Sequence, residues 1–252
     1  MASHFESIGI PLQNEQEYDE FLDRIYPQAS VASLPAPDER YIVWSSGVGA
    51  TLWIQQKANQ GIVGMNPHFE GEGRVVARIT ALLEDDQRPF DGSIHAWALG
   101  EGDSDSPEDG CYPFLVDVPD FQRIKETVTS GQTVTLQVAA FAHELDVFAS
   151  EAAYENSNNE GKPQFATRSF IPSGLFTPGG EESGPPQAHA IITGVVLKAQ
   201  RRTVAETGAS FYALLVETYG GTFDMVVAPE FGPILAGNVV QGQFWLSGRV
   251  TE

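Results

Sequence analysis

A chain of 252 residues with 42% apolar side chains is long enough to bury a sizeable core in two or three compact units, which excludes disorder throughout. Its 14 Lys and Arg against 34 Asp and Glu give a formal charge of -20, which repels polyanions and disfavours nucleic acid and anionic membrane as partners of the whole chain. Cys111 is the only cysteine, so an intramolecular disulfide and a thiolate-rich metal site are both ruled out.

The first thirty residues are acidic and hold no apolar run, and no later stretch approaches the roughly 20 apolar residues that span a bilayer. A soluble protein in the cytoplasm is expected, with no membrane partner. Residues 5–12 read as a short strand. Asn14 then offers a helix N-cap with Glu17 at the capping-box position, and Tyr18, Phe21, Leu22 and Ile25 recur at helical spacing, as on a helix packed against a sheet. Pro27 and residues 33–38 end that helix. Three strand-like runs follow at 41–45, 50–55 and 62–66, separated by glycine turns.

The resulting β-α-β-β-β order over residues 1–70 resembles one module of the vicinal oxygen chelate (glyoxalase-like) superfamily. The resemblance implies a metalloenzyme in which His4, beside the first strand, and His68, at the end of the fourth, lie near the positions that supply metal ligands. Otherwise the five histidines form no H-x-x-x-H or H-E-x-x-H pair, and no cofactor is expected. Residues 102–110 gather several carboxylates, as a hard cation requires, but lack the order of a calcium loop and read better as a solvated hairpin tip.

Two later segments resemble each other. Ala77 to Leu83, Phe114 to Phe121 and Gly131 to Leu136 match Ala190 to Val196, Met225 to Phe231 and Gly242 to Leu246 in order and spacing, as a duplication would produce. In the second copy, a long strand broken at Gly194 precedes a charged turn at 201–208, and strands follow at 210–218, 222–228 and 239–250. This pattern resembles the OB-fold, a small Greek-key barrel, with Gly194 and the Gly242 to Arg249 run similar to its anticodon-binding type. An OB barrel needs a fifth strand. Residues 144–150 are expected to supply it in the first copy; in the second it must come from residues 160–175 or another subunit, or the barrel stays open.

The expected fold is therefore mainly β, with a small α+β N-terminal unit (1–72), a first OB-like barrel unit (73–150), a connector with a docked apolar island at 165–176 (151–187) and a second OB-like barrel unit (188–252). Period-2 alternation places Asp224 outward with Phe223, Met225 and Val227 inward, and places Trp245, Ser247 and Arg249 outward with Phe244 and Leu246 inward. Trp245 and Arg249, with Arg201, Arg202 and Phe211, would then form an aromatic and cationic patch for a base, a sugar or an acidic peptide. The alternative is that Trp245 packs against the apolar island or the neighbouring unit.

No nucleophile elbow, phosphate loop or triad spacing occurs, which removes any sequence warrant for catalysis. The leading expectation is a non-catalytic binding or assembly protein that holds a protein or a small polar ligand. Single-stranded nucleic-acid binding through the C-terminal unit comes second, and the glyoxalase-like metalloenzyme third. An unclosed strand edge further predicts a homo-oligomer.

Overall fold

The computed structural model describes residues 3–100, 110–157, 164–175 and 185–251. The protein is mainly β, with two sheets and a helix near the N-terminus. The first unit begins with a 3-10 turn, Glu6–Ile8, where the sequence suggests a strand. The turn closes at Gly9, whose φ of 76° and N–H bond to the Glu6 carbonyl interrupt an extended run. Helix α1 (Glu15–Ile25) follows, capped as expected by Asn14: Glu17 N–H donates to Asn14 Oδ1 at 3.0 Å, while Glu17 Oε2 reaches back one residue past the N-cap to accept from Gln13 N–H at 2.9 Å. Its Phe21, Leu22 and Ile25 are buried.

Strands β1 (Ser30–Ser33), β2 (Glu39–Ser45), β3 (Ala50–Lys57) and β4 (Gly61–Phe69) then form an antiparallel meander in the order β1-β2-β3-β4. The observed order is thus α-β-β-β-β rather than β-α-β-β-β. β1 occupies a segment that lacks the apolar alternation of a half-buried strand, because its burial pattern is almost wholly exposed.

The second sheet comprises β5 (Val75–Glu84), β6 (Gly92–Ala98), β7 (Tyr112–Asp117), β8 (Thr133–Phe148), β9 (Ser169–Ile171), β10 (His189–Thr203), β11 (Ser210–Thr218), β12 (Gly221–Val227) and β13 (Val239–Val250). Helices α2 (Phe121–Ile124) and α3 (Glu151–Glu155) are short connectors. Pairing around the sheet closes two five-stranded circuits. One runs β5-β6-β7-β13-β8 and back to β5; the other runs β10-β11-β12-β8-β13 and back to β10.

Both circuits contain the same two strands. β8 and β13 form an antiparallel ribbon from Val239↔Phe148 to Val250↔Leu136. The outer edge of β8 meets β5 over residues 133–136 and then β12, in parallel, over residues 139–141. The outer edge of β13 meets β10 over residues 239–245 and then β7, in parallel, at Ser247. Each barrel's fourth strand is therefore the other barrel's fifth.

This arrangement corrects two expectations. Residues 144–148 are no separate strand but the continuation of β8. The fifth strand of the second barrel comes from β8, not from the island or a second subunit, so an open barrel edge gives no ground for an oligomer. The apolar island does dock, as expected: β9 pairs with β10, and Phe170 stacks on Tyr112 with centroids 4.2 Å apart. Residues 101–109 and 176–184, which include most of the acidic loop, lie outside the described residues.

The repeat also aligns differently from its sequence reading. Gly131 and Gly237 each precede the fourth strand of their barrel by two residues, with φ of 86° and 88°. Gly131 is thus equivalent to Gly237, and Gly242 lies inside β13.

Candidate functional site

A strand shared by two barrels has a core on each face, and its polar side chains must find partners inside. Two such side chains, Ser247 and Gln137, join His68 of β4 and Asp224 of β12 in one chain across the ribbon. Ser247 on β13 donates its hydroxyl to His68 Nδ1 at 2.9 Å, and His68 Nε2–H donates to Gln137 Oε1 on β8 at 2.7 Å. Gln137 Nε2–H donates in turn to Asp224 Oδ2 on β12 at 2.7 Å and to the Phe69 carbonyl at 3.0 Å. The amide oxygen of Gln137 can only accept, which fixes His68 as the neutral Nε2–H tautomer.

Asp224 also accepts the backbone N–H groups of Glu72 and Gly73, at 3.0 and 2.9 Å. The backbone comes that close because Gly71 and Gly73 carry no Cβ: one built on Gly71 would lie 2.2 Å from the Asp224 carboxylate carbon. Asp224, expected at the surface, is thus buried under the 71–74 turn, and burial raises its pKa against the pull of its three donors. His68 moves the other way, down to about 3, through burial and the nearby Arg249 charge. Both of its nitrogens are engaged and the residue is fully buried, so it is not placed as a metal ligand. The Ser247–His68 contact has the form of a nucleophile and its base, yet Ser247 is 1% exposed and no substrate can reach it. The chain is an internal lock joining β4 to β8, β12 and β13.

The expected aromatic and cationic patch does not form, although Arg202 and Phe211 are paired across β10 and β11. Phe211 is fully buried, and Trp245 is 9% exposed with its Nε1–H donating to Asp117 Oδ2 at 2.6 Å. Arg249 is committed to Glu70 at 3.1 Å and Asp120 at 3.3 Å, over the Trp53 ring. Arg202 donates to the Val48 carbonyl at 2.8 Å and lies over Phe69, while Arg201 is exposed; both belong to β10 rather than to the loop after it. Alternation misplaced Trp245 because it assumes one wet face, and β13 has none along most of its length. A small cleft beside Lys198, Arg202 and Asp224 has a volume of about 30 Å³.

Midway along the ribbon, three histidines converge. His143 is the extra residue of a bulge: the β8–β13 register passes from Glu144↔Gln243 to Ala142↔Phe244 and leaves His143 without a partner. Bulges of this kind re-aim a side chain. His143 Nε2 lies 2.8 Å from His4 Nε2, and His189, which pairs with Trp245 across strands, packs edge-on to His143 with centroids 5.6 Å apart. His4 itself lies flat on Trp245, 4.2 Å between centroids.

His4 therefore does belong to a histidine cluster, but its neighbours are His143 and His189 rather than His68. Nothing in the local sequence of those two marks them, since their contact arises from a bulge and from long-range strand pairing. Among the described residues no group of three or more His, Cys, Asp or Glu side chains is arranged to hold a metal ion.

No protein-family model matches the chain, and no curated protein matches it. Among the described residues no helix is long and apolar enough to cross a membrane.

Proposed function

We propose that this is a non-catalytic binding or assembly protein that takes up an extended segment of a protein partner at the free edge of its N-terminal sheet. The observation that carries this reading is β1. It pairs with β2 alone among the described residues, its Val31 is 57% exposed, and Ser30–Ser33 contain no charge and no proline. Natural sheets guard such edges with short strands, lysine, proline or a covering segment; β1 is short, but with no charge and no proline its outer backbone groups remain a template for a further strand. The internal engagement of Ser247, His68, Asp224 and Arg249 supports the same reading, because these reactive groups serve the fold.

Nucleic-acid binding through the C-terminal unit has less support: of its five residues only Arg201 is exposed. The glyoxalase-like reading loses the pairing of His4 with His68 and its first strand.

The test compares wild type with Val31→Lys, which places a charge on the edge without touching the core. A polypeptide from the native host that binds wild type and is lost from Val31→Lys supports the reading, and light scattering shows whether that polypeptide is a second copy of the chain. Equal binding by both proteins rejects the edge as the site.

A further inference from the structure

His4 and His143 meet head-on: the Nε2 atoms are 2.8 Å apart, the ring centroids 5.0 Å, and the planes differ by 4°. One ring donates its N–H and the other accepts, so the contact exists only while the accepting nitrogen carries no proton. An ion between them would need about 2 Å to each nitrogen, and this separation therefore accommodates a proton rather than a metal.

The pair closes over something. His4 covers the Trp245 indole with an interplanar angle of 7°, and Phe141 stands 6.0 Å from His4 and 4.8 Å from Trp245. Residues 7–10 are buried, while residues 4–6 are half-buried, so the chain is anchored from Ser7 onward and the turn before it is held by His4 on Trp245 and by Phe5 on the core. We propose that His4 and His143 form a proton-operated latch, which holds the N-terminal turn over Trp245 at neutral pH and releases it in acid.

The charged and titratable groups around the latch come from every neighbouring element. His189 on β10 faces His143, Glu144 adjoins His143 on β8, and Asp117 on β7 is held by Trp245 Nε1 and by Ser93 Oγ at 2.6 Å each. On the turn itself, Glu6 accepts the Ser3 N–H at 2.7 Å. Burial, then His143 and His189, pushes the His4 pKa down to about 4, and burial with His189 lowers that of His143 despite Glu144.

A released His4 regains the ordinary value near 6.5. The open turn then binds a proton that the closed turn refuses. The stability of the closed state is complete above pH 6.5 and is lost as the pH falls toward 4. Between pH 7 and pH 5 the shift of His4 alone favours opening by about 25-fold.

Amide hydrogen exchange tests this, because Ser7 N–H donates to the Ser3 carbonyl and Ile8 N–H to the Phe5 carbonyl within that turn. With chelator present and intrinsic rates corrected for pH, protection at Ser7 and Ile8 should fall about 25-fold from pH 7 to pH 5 in wild type. His4→Phe keeps a ring on Trp245 without a titrating nitrogen and should hold its protection within about twofold. Unchanged protection in wild type, or an equal fall in His4→Phe, overturns the latch. So does a gain in protection on adding zinc that His143→Ala abolishes, since the pair would then serve an ion.

Discussion

Gln137 donates to Asp224 across 2.7 Å at a depth where the two side chains are 4% and 3% exposed, and its other amide atom accepts from His68 at the same distance. One amide thereby satisfies a histidine from the N-terminal sheet and a carboxylate from the second barrel. Replacing it with leucine would leave the His68 N–H, the Phe69 carbonyl and one Asp224 oxygen each short of a partner. Buried unsatisfied groups cost about 1–3 kcal/mol each, with partial relaxation, so Gln137→Leu should lower stability by about 3 kcal/mol in urea titrations. A loss below about 0.5 kcal/mol would mean that the chain of hydrogen bonds does not join the units.

The same chain sets a pH dependence whose sign follows from His68. Its folded pKa of about 3 lies below the ordinary 6.5, so its contribution is complete above pH 6.5 and is lost as the pH falls toward 3. From pH 6.5 to 4.5 that amounts to about 2 kcal/mol. Asp224 acts in the opposite sense, because its raised pKa favours the protonated folded form as the pH drops. Comparing His4→Phe with His4→Phe/His68→Gln by urea titration at both pH values isolates His68: the double variant should lose about 2 kcal/mol less on acidification. Equal losses would show that His68 already takes up its proton in the folded state.

Gly242 marks the closest approach within the shared ribbon. A Cβ placed on it would lie 2.0 Å from the Glu144 carbonyl oxygen, a backbone atom that cannot swing aside as a side chain would. Gly242→Ala should therefore force the two strands apart just beyond the His143 bulge and cost about 3 kcal/mol. Thermal unfolding measures this, and a midpoint within two degrees of wild type would show that the ribbon can spread there without loss.

Local signals in the sequence were sufficient for elements whose environment is local. The Asn14 N-cap, the Phe21, Leu22, Ile25 stripe and the strands at 210–218 and 239–250 stand where spacing alone puts them. What failed was inference about faces. Asp224 and Trp245 were turned outward by an alternation rule that presumes a wet side, whereas β12 is capped by the 71–74 turn and β13 is enclosed by two barrels. The histidine cluster was only one-third visible, because His143 is aimed by an unpaired bulge residue and His189 by its register with Trp245. Such long-range pairing leaves no mark in the spacing of the residues it brings together.

The exchange of strands makes its own prediction about independence. The second barrel takes β10, β11, β12 and β13 from residues 188–252 and its remaining strand from β8, whose residues 139–141 pair with β12 while residues 136–148 pair with β13. Without β8, a fragment of residues 188–252 exposes the inner edges of both strands and uncovers Phe244, Leu246, Met225 and Val226, all at most 1% exposed in the whole chain. Four strands with an unclosed core and no covering partner fall short of what a chain of that size needs to fold. The fragment should therefore give a random-coil proton spectrum with no cooperative melt, and residues 1–187, which lack β13, should likewise fail to close the first barrel. Mixing the two should restore a single cooperative transition, as β8 and β13 re-form the ribbon. A cooperative melt from residues 188–252 alone would show that the second barrel closes without β8 and that the two units are separable after all.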